Sequence, residues 1–187
     1  MPNKKKVLII QSTVPHYRIP IFNELAKAVD LTLVYDRGSI PDGVNFASKK
    51  VDVIKIILWI HKKNMMRMAK KYDVVISMLD SSYLTTRLLC KIRGKTKLIL
   101  WGIGVAAGYE VRFDSLPETA LAYMKMINQA DAALFYSSYP VDKYSKMGVP
   151  KSKLFVANNT VQVLQIEECE KSSILFVGSL YRAKKIF

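Results

Sequence analysis

The feature that most constrains this chain is its rhythm. Short apolar runs alternate along most of its length with segments whose apolar residues return every three or four positions. Residues 7–10, VLII, read as a buried strand. Ile19, Phe22, Ala26 and Val29 then recur at helical spacing, with Pro20 in the first turn, where its missing N–H is no loss. Residues 31–35 read as a second strand. Residues 36–48, with Gly38, Pro41 and Gly43, read as a loop, and 51–58 as a third strand. Residues 73–78 are strand-like and 82–93 helix-like, with Gly94 as the stop, and 97–101 form another apolar run. Ser115 and Glu118 have the spacing of a capping box, in which each side chain satisfies the other's backbone donor, ahead of Leu121, Met124 and Ile127. Residues 132–136 read as a strand, 140–146 as a helix stopped by Gly148 and Pro150, and 154–157 as a further strand.

Repeated strand–helix units imply parallel strands, because a parallel pair needs a crossover and the helix supplies it. The predicted fold is α/β, a Rossmann-like and mostly parallel sheet with helices on both faces and right-handed crossovers. In such sheets ligands meet the carboxyl ends of the strands. Residues 1–158 are expected to form this domain. Residues 159–173 are polar, contain Glu167, Glu168 and Glu170, and read as an interdomain linker. Residues 174–177 then open a new strand, so 174–187 read as the truncated start of a second domain.

Charge narrows the partners. The chain of 187 residues carries 29 Lys plus Arg against 15 Asp plus Glu, a formal net charge of +14. That excess favours an anionic partner: phosphorylated substrates, an acidic membrane surface or nucleic acid. No nucleic-acid-reading motif accompanies it, and nucleic acid is not expected. Cys90 and Cys169 are far apart, and with two histidines they make no metal-type spacing, so no metal is expected. Few cysteines, no signal peptide and no long apolar stretch point to the cytoplasm.

Several residues fall at the predicted carboxyl edge. His16, Tyr17 and Arg18 follow the first strand. Arg18 offers a fork of donors for a phosphate or for sugar hydroxyls, and His16 could bond or take a proton, although nothing near it in sequence orients it. Asp80 follows residues 73–78 and could accept from hydroxyls; the alternative is an N-cap for the next helix. Gly102 and Gly104 end the run at 97–101, where glycine permits a tight turn or close approach to a ligand. With Gly108 they make 103–113 a loop expected over the cleft. No catalytic triad, P-loop or dinucleotide fingerprint is present, so no catalytic residue is assigned. Residues 61–72 combine Lys62, Lys63, Arg67, Lys70 and Lys71 with three methionines. As a helix, this is either a basic amphipathic membrane-surface element or an ordinary surface helix packed through its methionines.

Four segments, in order, carry a resemblance. PHYRIPIFNEL at 15–25 resembles a "YR-x-P-(I/L)-F-x-x-L" opening, and LILWGIG at 98–104 a "W-G-H-G" segment. ADAALFYSS at 130–138, with GVP at 148–150 and NNT at 158–160, is the third. ILFVGSL at 174–180 with Lys184 is the fourth. Together they resemble the large family-4 type of retaining GT-B glycosyltransferases, which includes bacterial polysaccharide-assembly enzymes. The resemblance implies two Rossmann-like halves facing across a cleft, the first binding a glycan or lipid-linked acceptor and the second a nucleotide-sugar donor. If the first half is the acceptor side, His16, Tyr17, Arg18, Asp80, Gly102 and Gly104 at the carboxyl edge are the expected acceptor contacts; the resemblance implies donor-phosphate contacts at Gly178 and Lys184, with no cofactor beyond the donor substrate. Ile103 stands where related enzymes often carry histidine, Ser179 where arginine is frequent and Lys185 where glycine is usual. An isoleucine can neither donate nor take a proton, so that contact is lost here. The acidic "E-x7-E" pair would lie beyond Phe187, so the chain alone is expected to be inactive. The competing expectation is a non-catalytic module binding an anionic ligand or a membrane surface at the inner face of the membrane.

Overall fold

The computed structural model describes residues 4–62, 64–106 and 115–158. Seven strands form one parallel sheet: β1 (Lys6–Gln11), β2 (Asp30–Tyr35), β3 (Ala47–Lys50), β6 (Val74–Met78), β7 (Lys97–Gly102), β8 (Ala132–Phe135) and β9 (Leu154–Val156). A separate antiparallel hairpin, β4 (Val53–Lys55) and β5 (Trp59–His61), interrupts the series. The helices are α1 (Ile19–Ala28), α2 (Met65–Ala69), α3 (Leu84–Ile92), α4 (Ala120–Gln129) and α5 (Ser138–Lys146).

The strand order is β3-β2-β1-β6-β7-β8-β9. The chain therefore builds outward from β1 to one side, jumps to the other side of β1, and builds outward again. Val7 pairs with Leu31 on one flank and with Val74 on the other. That reversal is the topological switch point, where adjacent crossovers lead away from each other and leave a crevice at the carboxyl ends.

The pleat sorts the core into two layers, since successive side chains point to opposite faces. Leu8 and Ile10 join Val75, Leu98, Leu100, Ala133 and Phe135 under α2 to α5. Val7 and Ile9 join Leu31, Leu33 and Trp101 under Phe22 of α1 and Phe46. Burying side chains of this size contributes about 1.5–3 kcal/mol each.

Three local expectations are corrected. Residues 51–58 are not a sheet strand. The third sheet strand is Ala47–Lys50, exposed throughout, and 53–55 belong to the hairpin. An edge strand needs ladder bonds on one side only and no apolar run, and Lys49 and Lys50 guard it against further pairing. Residues 61–72 are not one basic helix. His61 closes β5, and only Met65–Ala69 is helical, capped by Asn64 Oδ1, which accepts from the Arg67 N–H at 2.9 Å. Met65 and Ala69 are buried in the core, whereas Lys62, Arg67, Lys70 and Lys71 are exposed; Lys63 lies outside the described residues. Ser115 and Glu118 do not cap a helix, because α4 starts at Ala120 with Thr119 at its N-cap position.

Candidate functional site at the carboxyl edge

Two polar clusters straddle the end of β1, and the pleat explains their placement. Gln11 continues the Val7–Ile9 face and Ser12 the Leu8–Ile10 face, so consecutive residues address opposite sides of the sheet. The Ser12 N–H points across the switch point at Met78 Sδ, 3.0 Å away.

On Gln11's side lies Arg18. It sits in a single 3-10 turn (His16–Arg18) that Pro15 introduces and that leads straight into α1, with Pro20 in the helix's first turn. Arg18 is only 8% exposed. Its Nη1 donates to Gln11 Oε1 at 2.5 Å and its Nη2 to the Tyr136 hydroxyl. Its guanidinium carbon stands 4.7 Å from the ring centre of Trp101, 5.4 Å from Tyr136 and 6.0 Å from Tyr17. Burial pushes the Tyr136 hydroxyl's pKa up, while the Arg18 charge pulls the other way. Three aromatic faces and two hydrogen bonds offset part of the desolvation of this cation. They do not neutralise it: among the described residues no carboxylate pairs with Arg18. Arg18 Nε and Trp101 Nε1 are buried donors without a partner.

On Ser12's side lies Asp36, directly after β2, its side chain fully enclosed. Its carboxylate accepts from Ser12 Oγ and from the Tyr83 hydroxyl, both at 3.0 Å, and Arg37 Nε lies 3.3 Å away. Burial is the main cause that raises the Tyr83 pKa. The Tyr83 ring stacks on Trp59 of the hairpin at 6.3 Å and contacts His61 at 5.6 Å. His61 Nδ1 is 2.8 Å from Thr85 Oγ1, and its Nε2 is buried without a partner.

The residues expected from sequence fall into three groups. Arg18 enters a cluster, with Tyr17 beside it and exposed His16 edge-on to Tyr17 at 5.8 Å. Asp80 makes a local turn: its Oδ1 accepts from the Ser82 N–H at 2.8 Å and from the Ser82 hydroxyl at 2.6 Å. It does not cap α3, whose N-cap position is Tyr83. Gly102 and Gly104 have packing reasons for lacking a side chain. A Cβ on Gly102 would stand 2.9 Å from Leu79 Cβ, and one on Gly104 2.6 Å from the Phe135 ring. Ile103 between them is exposed. Residues 107–114, the expected linker at 159–173, Gly178, Ser179, Lys184 and Lys185 lie outside the described residues.

Gln11, Asp36, Tyr83, Trp101 and Tyr136 were not singled out for function from sequence. An acid placed directly after a buried second strand is the signal that could have found Asp36. The others are met only through the strand order. Concavities of about 340 and 480 Å³ lie at the amino-terminal side, beside Asp73 and Asp30, and one of about 280 Å³ lies between α3 and α4, beside Ser81. No metal-holding group of three or more His, Cys, Asp or Glu stands among the described residues. The Cys90 thiol is buried, which pushes its pKa up to about 11 and leaves it unreactive. No helix among the described residues is long and apolar enough to cross a membrane.

No protein-family model matches the sequence, and no curated protein matches it significantly. Solved structures do match in fold. UDP-N-acetylglucosamine 2-epimerase from Rickettsia bellii aligns at TM-score 0.54 and 14% identity, over 84% of this chain and 45% of that one. HepE from Anabaena, solved with UDP and glucose, aligns at TM-score 0.54 and 10% identity, over 83% and 44%. UDP-GlcNAc 2-epimerase from Methanocaldococcus jannaschii aligns at TM-score 0.52 and 15% identity, over 82% and 45%. The chain thus spans less than half the length of these structures, and what it shares with them is the fold: a Rossmann-like α/β sheet of GT-B type.

Proposed function

We propose that this domain is the acceptor-side half of a nucleotide-sugar glycosyltransferase that transfers a sugar to a glycan or lipid-linked acceptor. The observation that carries the reading is Arg18, a buried cation at the switch point whose charge no described carboxylate balances. A phosphate or pyrophosphate on the acceptor supplies the missing charge. Further support comes from the neighbours, which by name act on UDP-GlcNAc or were solved with UDP.

In this reading the bond between the sugar's anomeric carbon and the diphosphate breaks, the acceptor hydroxyl attacks and loses its proton, and the nucleotide diphosphate leaves with growing negative charge. Gly178 and Lys184 are the proposed contacts for that charge. No metal is invoked. The chain alone is expected to bind a sugar pyrophosphate without turning it over.

Calorimetric titration with inorganic pyrophosphate and with UDP-GlcNAc tests the site. Arg18→Met keeps the bulk and removes the charge, and circular dichroism checks that the fold persists. Binding should weaken at least about tenfold, roughly 1.4 kcal/mol. Equal affinity for the variant would remove Arg18, and with it this reading. The epimerase neighbours favour a second reading, a site for a UDP-sugar inverted at C2. Product analysis of a longer chain that includes the donor-side half separates the two, since transfer yields UDP and a glycosylated acceptor whereas epimerisation yields an altered UDP-sugar and no free UDP. Binding by that longer chain with neither product supports the module that only holds its ligand.

A further inference from the structure

The β4–β5 hairpin carries the strongest apolar exposure among the described residues. Ile57 is 88% exposed, Ile56 72% and Ile54 43%. Ile56 and Ile57 form the connection between the two strands, where the Ile56 N–H donates to the Leu58 carbonyl at 3.3 Å. Turns ordinarily carry Gly, Asn, Asp or Ser, whose backbones and side chains suit a wet, tight reversal. Two isoleucines in that position set apolar surface against water.

The hairpin's base is fixed, so the tip cannot fold back to hide this surface. The Trp59 N–H donates to the Ser82 carbonyl at 2.8 Å and the Lys62 N–H to the Asp52 carbonyl at 2.9 Å. Trp59 stacks on Tyr83, and His61 is bonded to Thr85. Cations flank the hairpin. Lys55 Nζ lies 5.3 Å and the Arg37 guanidinium carbon 4.9 Å from the Trp59 ring centre, and Lys62 Nζ lies 3.4 Å from Asp52 at the base. Between residues 47 and 71 the sequence places eight Lys or Arg against one acid, Asp52.

We propose that this tip inserts into the interface of an anionic bilayer, with Ile56 and Ile57 entering the acyl boundary and the lysines meeting headgroup phosphates. A specific protein partner needs roughly 800 Å² of complementary surface on each side, which a few isoleucines on a two-stranded projection do not offer. A bilayer requires no matching shape, and it stabilises a narrow apolar tip flanked by positive charge. The anchor is therefore the hairpin and not a basic helix at 61–72. Because the hairpin docks through Ser82 and Tyr83, the bilayer lies beside the same carboxyl edge that holds Arg18. The inference does not depend on the sugar chemistry.

Flotation of the full chain with vesicles tests it, using phosphatidylcholine alone and phosphatidylcholine mixed with phosphatidylglycerol. The chain should float with the mixed vesicles and not with the neutral ones, and added salt should weaken the association. The paired variant Ile56→Ser, Ile57→Ser changes only exposed side chains, so its thermal midpoint should hold while partitioning falls at least about tenfold. Lys55→Glu should weaken binding to the mixed vesicles by a smaller factor. No flotation with anionic vesicles at low salt overturns the proposal, as does equal partitioning of the serine variant. A concentration-dependent dimer that the serine variant dissolves, without vesicle binding, assigns the tip to a second copy of the chain instead.

Discussion

Gly104 shows how tightly one position is held by its neighbours. Its φ is +73°, a region that side-chain-bearing residues avoid, and Phe135 and Pro140 fill the space where a Cβ would go. Its carbonyl accepts from the buried Tyr144 hydroxyl at 3.0 Å, which fixes the loop after β7 onto α5. Gly104→Ala should therefore lower stability by about 2 kcal/mol or more, read as a shift of the urea midpoint; a midpoint within error of the parent would contradict the packing account. Ile103, one residue earlier, points into solvent and is free of such constraint. Arg18 shows the limit of reading single residues. Its place just after the first strand was visible in the sequence, but its burial was not. Its hydrogen-bond partners are 7 and 118 residues away along the chain, and only the order of strands brings them together.

Elements differ in how plainly the sequence declares them. Strands β1, β2, β6, β7 and β8 carry the apolar runs that a buried parallel strand requires, and their helices carry the matching spacing. The edge strand β3, Ala-Ser-Lys-Lys, has no apolar signal, because one ladder of backbone bonds to β2 is all that holds it. The apolar run that imitates a strand went instead into the hairpin, where half its residues face water. What fastens the hairpin is partly titratable. Burial holds the His61 pKa below its usual value near 6.5, against an upward pull from Asp36. Below that value an unfolded chain takes up a proton while folded His61 stays neutral, so its contribution is complete above about 6.5 and is lost as pH falls through the window beneath. Thermal midpoints from pH 7 to 5 should decline, and His61→Gln should flatten the decline; an identical pH slope in the variant would exclude His61 as its source.

At the scale of the whole molecule, the formal charge of +14 sets a background of self-repulsion that salt screens. The thermal midpoint should rise when moderate salt is added to a dilute buffer. A fall would mean that ion pairs such as Arg93 with Asp131, at 2.9 Å, outweigh the repulsion. The architecture was legible because a strand–helix alternation admits few topologies, and the carboxyl edge followed from it. The two clusters at that edge were not, since they depend on which strand lies beside β1. The jump from one flank of β1 to the other also governs how the molecule forms. Lys6 and Asp73, bonded across the β1–β6 pair, are 67 residues apart, a longer separation than between any other neighbouring strands of the sheet. Closing that loop costs about 1 kcal/mol more than closing the one between β1 and β2, and distant parallel pairings are slow to nucleate. The crevice at the switch point is then the last part of the sheet to close, and ligand capture there reports the completion of folding.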